Sequence, residues 1–219
     1  MFRFLPNLDW DAERGLPAYS RGPAAAGPLP LVAVTHRQPT TEWPSTMPVI
    51  LMVRDPRDVV VSRYYHATRH KHQFTGDISR FVRNEDWGLP AWVQHTNSWM
   101  SALADRPHTI ISYERLRAFP QSETTRILAF LGQDADPDRV ARAIAAAEID
   151  RMRELEVQHG IPGHRYDRSD PQALRVRRGI VGGFQNELSR GDLDWIDRYC
   201  SENLLTASWG VLAAPATAG

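Results

Sequence analysis

Residues 49–66, VILMVRDPRDVVVSRYYH, join a short apolar run directly to a turn and the start of a helix. The first five residues are β-rich and do not alternate with polar residues, as expected for a parallel strand buried on both faces. Pro56 suits the first position of a helix, and Asp55 before it is a residue type that caps helices. This stretch therefore predicts a strand–loop–helix unit.

The rest of the chain continues the same alternation of strands and helices. Apolar runs at 31–35 (LVAVT) and 109–113 (TIISY) predict two more buried strands. Helical periodicity predicts helices over 89–103, 122–131, 137–155 and 190–205. This order predicts an α/β sandwich with a parallel sheet, in one domain over residues 31–212. Residues 1–30, rich in glycine and proline, are predicted as an irregular lead-in segment, and residues 213–219 as a flexible tail.

Composition excludes several classes of function. The 219 residues carry 26 basic and 26 acidic side chains, so no overall field attracts nucleic acid or an acidic membrane. No apolar run approaches the ~18 residues of a membrane span, and acidic residues come too early for a signal peptide. We therefore expect a soluble, cytoplasmic protein whose partners are neither nucleic acids nor membranes.

The metal-binding residue types do not form a convincing site. Cys200 is the only cysteine, which excludes an internal disulfide and a multi-cysteine metal centre, and we interpret it as structural. His66 and His70 have the i, i+4 spacing that can bind a metal, with His72 nearby. No carboxylate is placed as a third ligand, so no metal site is predicted. Trp92 and Trp99, seven residues apart, are interpreted as core.

Reactive side chains follow each of the three predicted strands. His36, Arg54 and Tyr113 stand at the carboxyl ends of the strands, where ligands of open parallel sheets bind. A base, an anion clamp and a flat aromatic surface would meet there. Ser62 lies two helical turns after Arg54, and its hydroxyl can point back to the same anion. In the loop RVRRGIVGG, residues 175–183, guanidinium groups and backbone N–H groups suit a phosphate or sulfate.

These residues together suggest a site for a phosphorylated nucleotide, beside which structural alternatives stay open. Arg54 can form an ion pair with Asp55 at the entry of the helix, worth at most ~1 kcal/mol at a surface. His36 and Tyr113 can serve packing alone, and the arginine-rich loop can simply be solvated.

At this point the sequence resembles a known family. The run VILMVRDPRDVVVSRYYH is similar to the motif by which cytosolic-type sulfotransferases hold the 3′-phosphate of 3′-phosphoadenosine 5′-phosphosulfate (PAPS). Four more segments follow the family's order between about residue 31 and residue 200: VTHRQP, WVQHTNSW, ISYERLRAFPQSETTRILAFLG and RRGIVGGFQNELS. Five matches in the family's order are specific evidence for the resemblance, whereas any one of them alone would be weak evidence.

The resemblance implies a fold, a co-substrate and a set of roles. The fold would be a P-loop-like three-layer α/β sandwich with a central parallel sheet. PAPS would be the co-substrate, without a metal, and a hydroxyl or amine of a small molecule the acceptor. His36 would be the general base and Tyr113 would contact the adenine. The 3′-phosphate would be bound by Arg54, Ser62, Arg177, Arg178 and the backbone at Gly179.

One part of the family pattern is missing from the sequence. The glycine-rich turn of the type Pro-Lys-Ser-Gly-Thr-Thr, which cradles the 5′-phosphosulfate, is not found, and the only lysine, Lys71, lies in RHKHQ. We therefore expect a sheet without its first strand, from a truncated gene model or from a natural remnant with impaired activity. A non-catalytic protein that binds 3′-phosphoadenosine nucleotides is the alternative function. A P-loop kinase is disfavoured because the sequence has no GxxxxGK[ST] motif.

Overall fold

The computed structural model describes residues 32, 34–41, 43–161 and 164–208. The predicted lead-in segment 1–30 and the predicted tail 213–219 lie outside the described residues.

A parallel pair of strands forms the sheet in the part of the chain that the structure describes. Strands β1 (Val49–Val53) and β2 (His108–Ser112) pair in register from Val49 opposite His108 to Val53 opposite Ser112. The intervening helices form the crossover that parallel strands require. The predicted α/β class with a parallel sheet is confirmed. Of the third predicted strand, Val34 makes a single β-bridge, whereas Leu31 and Ala33 lie outside the described residues.

Eight α-helices are defined among the described residues. Their bounds in chain order are α1 Pro56–Tyr65, α2 Ile78–Val82, α3 Leu89–Ala102, α4 Tyr113–Ala118, α5 Pro120–Phe130, α6 Pro137–Ala146, α7 Ile149–His159 and α8 Arg190–Asn203. A π-helical turn, His66–His70, continues α1, and a 3₁₀ turn, Gly183–Asn186, precedes α8.

The predicted strand–loop–helix unit is confirmed at its junction. Asp55 caps α1 by accepting a hydrogen bond from the Arg57 backbone N–H, and Pro56 takes the first helical position. Strand β2 ends one residue earlier than predicted because Ser112 caps α4, accepting from the Arg115 N–H, so that Tyr113 begins the helix. Tyr113 therefore starts a helix at the carboxyl end of the sheet, close to β1 and α1.

The predicted helix 137–155 is wrong as a single element. It is two helices, because Glu148 takes a non-helical backbone conformation (φ −56°, ψ 137°) between the end of α6 and the start of α7. The alanine-rich sequence has helical propensity throughout, so periodicity alone does not reveal the break. After the break, Ile149 reaches the loop that precedes α8, where it contacts Gly179.

The main core lies between α1, α2, α3 and α8. It is formed by buried apolar side chains, namely Val60, Val61, Val82, Leu89, Trp92, Val93, Phe184, Leu188, Ile196, Cys200 and Leu204. The predicted core positions of Trp92 and Trp99 are confirmed, since both are buried. Burial raises the pKa of the Cys200 thiol to about 12, which keeps it protonated and in agreement with a structural role. Within the described part of the chain, no helix combines the length and the apolarity that crossing a membrane requires.

Candidate functional site

The loop of residues 175–183, called the late loop below, is anchored to α1 by a buried carboxylate. Asp58 Oδ2 accepts a hydrogen bond from the Gly182 N–H at 2.8 Å, and Oδ1 accepts from the Phe184 N–H at 3.1 Å. Arg54 Nη2 lies 3.3 Å from Asp58 Oδ2. The alternative ion pair of Arg54 with Asp55 is therefore wrong in its partner: Arg54 pairs with Asp58, whereas Asp55 caps α1 and pairs with Arg57. Sequence reasoning missed Asp58, although an acidic residue in the first turn of α1 was visible.

Arg54 connects three parts of the site. Its guanidinium lies over the Tyr113 ring at 4.3 Å from the centroid, and Nη2 donates to the Ile180 carbonyl at 3.0 Å. The side chain remains 23% exposed, and its Nε is buried without a hydrogen-bond partner. Arg54 is therefore held in place by an aromatic ring, a carboxylate and a carbonyl, with donor capacity left over.

The Tyr113 side chain connects the end of β2 to the late loop through a hydrogen bond. Its hydroxyl donates to the Gly179 carbonyl at 3.0 Å. Gly179 has φ +63°, and a Cβ there would lie 1.8 Å from Ile149 Cδ1. Both the left-handed conformation and this close approach require glycine. The late loop therefore passes directly between Tyr113 and Ile149.

Glu187 organises the two consecutive arginines of the late loop. Its Oε1 lies 3.1 Å from Arg177 Nη1 and 3.0 Å from Arg178 Nη1, and its Oε2 accepts from the Tyr65 hydroxyl at 2.8 Å. The Arg177 guanidinium also lies over the Tyr65 ring at 4.1 Å. Burial and the hydrogen bond to Glu187 raise the pKa of Tyr65. Sequence reasoning missed Glu187, since nothing in its local pattern indicates these partners.

Glu156 of α7 fixes the start of the late loop. This buried carboxylate accepts from the backbone N–H groups of Arg175 at 2.7 Å and Val176 at 2.8 Å, and from the Tyr166 hydroxyl at 2.8 Å. Arg153 donates to the Val176 and Arg177 carbonyls at 3.2 and 3.1 Å. The late loop is thus a hydrogen-bonded structure with both ends fixed, not the simply solvated loop of the alternative interpretation.

A pocket of about 220 Å³ lies between β1, α1, Tyr113 and the late loop. Six of the seven predicted site residues line it: Arg54, Ser62, Tyr113, Arg177, Arg178 and Gly179. Arg175 also lines it, so four arginines and one acidic residue, Asp58, line the pocket, and Glu187 beside it pairs with Arg177 and Arg178. The structure therefore brings Arg54, Ser62, Arg177 and Arg178, which the sequence predicted to meet, to the lining of one pocket. This excess of positive charge suits a phosphate or sulfate group.

A larger pocket of about 610 Å³ adjoins the first. The two share Ile149, Arg178, Gly179 and Ile180 as a common wall, and the larger one continues along α4 to Arg117. A ligand bigger than one anion can therefore extend along the late loop from the arginine pocket.

His36 lies apart from the arginine pocket. It is exposed and does not line either pocket. Its segment is held against α3, where the Trp99 Nε1–H donates to the Arg37 carbonyl at 3.0 Å. Burial, together with the charge of the neighbouring His36, lowers the pKa of His95. The structure thus places His36 beside α3 and His95 rather than with Arg54.

The histidines that have metal-like spacing contact one another and the backbone. His66 and His70 stack with ring centroids 4.9 Å apart, and His70 Nδ1 lies 2.8 Å from the Ala173 carbonyl. In the described ranges, no group of three or more His, Cys, Asp or Glu side chains is arranged to hold a metal ion.

Comparison with known families and proteins gives one consistent result. The family model described as the sulfotransferase domain matches residues 4–207. A 3-beta-hydroxysteroid sulfotransferase from Cavia porcellus is 24% identical over 77% of this chain and 60% of its own length. Sulfotransferase 1B1 from Mus musculus is 24% identical over 78% of this chain and 60% of its own length. The chain thus spans about 60% of the length of these curated relatives.

Solved structures share the fold. Mouse sulfotransferase SULT7A1 complexed with PAP superposes with a TM-score of 0.66 at 22% identity, covering 84% of this chain and 69% of that one. Retinol dehydratase in complex with androsterone and the inactive cofactor PAP gives a TM-score of 0.65 at 19% identity, covering 90% and 62%. At these identities the likeness concerns the fold.

Proposed function

The chain belongs to the sulfotransferase family, and from that premise we propose that it transfers a sulfuryl group from PAPS to a hydroxyl or amine of a small-molecule acceptor. The PAP named in both solved structures supports PAPS as the donor. Names such as hydroxysteroid sulfotransferase among the relatives support a small-molecule acceptor.

The observation that carries the proposal is the arginine pocket itself. A phosphate monoester carries about −1.5 to −2 charges near pH 7 and three acceptor oxygens, which guanidinium forks bind in pairs. Arg177 and Arg178 both contact Glu187 through Nη1, and Arg177 Nη1 also donates to the Gln172 side chain, whereas each guanidinium has five N–H donors. The buried Arg54 Nε without a partner likewise indicates donor capacity that the protein does not use. The donor set therefore fits an anion.

In this proposal, the pocket holds the 3′-phosphate of the nucleotide. Arg54, Arg177 and Arg178 neutralise its charge, and the Ser62 hydroxyl and the Gly179 N–H donate to its oxygens. Tyr113 packs beside the adenine through the ring surface that Arg54 does not cover. The adjoining larger pocket offers space for the rest of the nucleotide along the shared wall.

His36 is the proposed general base. It takes the proton of the acceptor hydroxyl while the acceptor oxygen attacks the sulfur in line. A new S–O bond forms to the acceptor as the bond from sulfur to the 5′-phosphate oxygen breaks. The leaving 3′-phosphoadenosine 5′-phosphate (PAP) takes that electron pair. The arginine pocket contributes by fixing the donor's position, which is the main demand of such transfers.

A transfer assay with a matched binding assay tests this function. PAPS and a panel of phenols are incubated with the chain and with a version extended upstream, and PAP binding is measured by calorimetry. We expect PAP binding and sulfated product, and we expect H36A to lose transfer about 10²-fold or more while it still binds PAP. PAP binding without turnover in either version would instead support a non-catalytic nucleotide-binding protein. Absence of PAP binding would overturn the whole proposal.

A further inference from the structure

The π-helical turn His66–His70 packs against the segment that leads into the late loop. His70 Nδ1 lies 2.8 Å from the Ala173 carbonyl, and its Nε2 lies 2.9 Å from His164 Nδ1. His66 stacks on His70, and its Nε2 lies 2.6 Å from Arg175 Nη1. Such π-helical turns are rare and are frequent at functional sites. Here the turn brings the His66 imidazole to Arg175, the first residue of the late loop, and the His70 imidazole to Ala173 just before it.

The chemistry of the contacting groups determines which imidazole nitrogens donate a hydrogen bond and which accept one. A carbonyl only accepts, so His70 donates from Nδ1 and, when neutral, accepts at Nε2 from His164. A guanidinium only donates, so His66 must accept from Arg175 through an unprotonated Nε2. Burial, and next the charge of Arg175, lowers the pKa of His66 to about 3. His66 is therefore a permanent acceptor for Arg175 at neutral pH.

Arg175 belongs to the arginine pocket by position. Its backbone N–H is fixed by Glu156 at 2.7 Å, and the residue lines the same pocket as Arg54, Arg177 and Arg178. His66 comes four residues after Ser62, in the π-helical turn that directly continues α1. Both residues therefore lie on one face of this continuous helical segment. The Arg175 side chain, held by His66, therefore lies along the face of α1 that carries the Ser62 hydroxyl.

We propose that Arg175 is a fourth phosphate-binding guanidinium of this pocket and that His66 is the positioning residue that holds it there. The inference rests on the proposed function and deepens it, since it concerns affinity for the 3′-phosphate. With four arginines set against two carboxylates, Asp58 and Glu187, the pocket keeps an excess of positive charge that favours a doubly charged phosphate monoester over a 3′-hydroxyl. Arg175 thereby contributes to the selection of nucleotides that carry a 3′-phosphate.

Calorimetric titration with two nucleotides tests the role of Arg175. PAP carries the 3′-phosphate and adenosine 5′-phosphate lacks it. We expect R175M to weaken PAP binding about tenfold, the effect of one charge-assisted contact, and to leave adenosine 5′-phosphate within about twofold. R190M is the matched control, because Arg190 is 87% exposed and pairs only with Asp194 in the ion pairs that the structure describes. Unchanged PAP affinity in R175M, or an equal loss for both nucleotides, would overturn the inference.

Variants of His66 test its positioning role. In H66Q the amide oxygen replaces the imidazole acceptor, so PAP affinity should stay within about threefold of the wild type. In H66F the acceptor is lost, so PAP binding should weaken nearly as much as in R175M, and H66F should add nothing when Arg175 is already replaced. An H66F effect that persists in the R175M background would overturn the role of His66. A wild-type chain that binds no PAP overturns the proposed function as well, whereas normal binding with an unaffected R175M overturns this inference alone.

Discussion

At the scale of single residues, Arg54 and Gly179 show why the site needs these residue types. The Arg54 guanidinium covers the Tyr113 ring and faces Asp58, and Gly179 lets the late loop pass against Ile149. We therefore expect a measurable effect when either position is changed to a similar residue.

Replacement of Arg54 by lysine should weaken nucleotide binding. An ammonium group carries the same charge but lacks the planar fork that binds phosphate oxygens in pairs and stacks on an aromatic ring. We expect R54K to bind PAP about 10- to 100-fold more weakly in calorimetric titration. R57K is the matched control, because Arg57 binds Asp55 and covers Phe184 without lining the pocket. Equal effects of R54K and R57K would contradict the assignment of Arg54.

Replacement of Gly179 by alanine should destabilise the fold through two separable effects. The left-handed conformation costs about 1–2 kcal/mol for a residue with a side chain, and the overlap with Ile149 adds about 1–3 kcal/mol. Gly132 is the matched control, since its φ is +66° and a Cβ there meets no atom within 4 Å. In urea unfolding, G179A should therefore lose about 2 kcal/mol more than G132A. Equal losses would show that the contact with Ile149 has no energetic effect.

At the scale of elements, three carboxylates hold the late loop in place. Asp58 comes from α1, Glu156 from α7, and Glu187 follows the 3₁₀ turn. Each carboxylate accepts hydrogen bonds from the late loop or the residue after it, and Glu187 also pairs with its arginines. The late loop is therefore held by two buried carboxylates, Asp58 and Glu156, and one partly buried carboxylate, Glu187, although many of its own side chains are basic.

Removal of Glu156 should release the start of the late loop selectively. E156A leaves the partly buried N–H groups of Arg175 and Val176 without their acceptor, at a cost of about 2 kcal/mol. In hydrogen exchange, these two amides should lose protection in E156A, whereas the Gly182 and Phe184 amides, which are bonded to Asp58, should keep theirs. A uniform loss across all four amides would mean that the two anchors do not act separately.

The predictions from sequence succeeded where the signal was local. The turn at Asp55 and Pro56, strand β1, and helix α8 each follow from residues that are neighbours in the chain. The convergence of Arg54 with the late loop followed from the family resemblance, because no local pattern links residues 126 positions apart. Asp58 and Glu187 were missed for the same reason, since a carboxylate acquires its role only from distant partners.

Two features of the backbone could not be predicted for a different reason. The break at Glu148 lies in a segment of continuous helical propensity, and the contact of Ile149 with Gly179 that accompanies it is tertiary. The π-helical turn His66–His70 has the same composition as an ordinary helical turn. In both places, contacts with the late loop accompany a backbone geometry that propensity does not encode.

At the scale of the whole molecule, the buried titratable groups determine how stability depends on pH. Burial lowers the pKa of His66 to about 3 and also lowers that of His70. Between pH 6.5 and 3 the unfolded chain therefore binds more protons than the folded one, and stability falls as pH falls. Burial alone would raise the pKa of Asp192, but hydrogen bonds from Ser189, Arg83 and Ser79 outweigh it and hold the value at about 2. Its contribution is lost as pH falls from 3.8 toward 2.

Part of the change of the urea unfolding midpoint with pH should therefore be assignable to His66. We expect the urea midpoint to fall from about pH 6.5 downward, and we expect H66Q to flatten this part of the curve, because glutamine does not titrate. H159Q, at the exposed end of α7, is the matched control, and H66Q should flatten the curve more than H159Q does. A slope that is identical in the wild type and in H66Q would contradict the contribution of His66.

The structure of the chain crystallised with PAP would test the anion pocket most directly. The expected result is a 3′-phosphate whose oxygens lie about 2.7–3.2 Å from nitrogen atoms of Arg54 and Arg178 and from the Ser62 hydroxyl. A nucleotide bound with its 3′-phosphate in solvent, or bound away from the late loop, would contradict the assignment of this pocket.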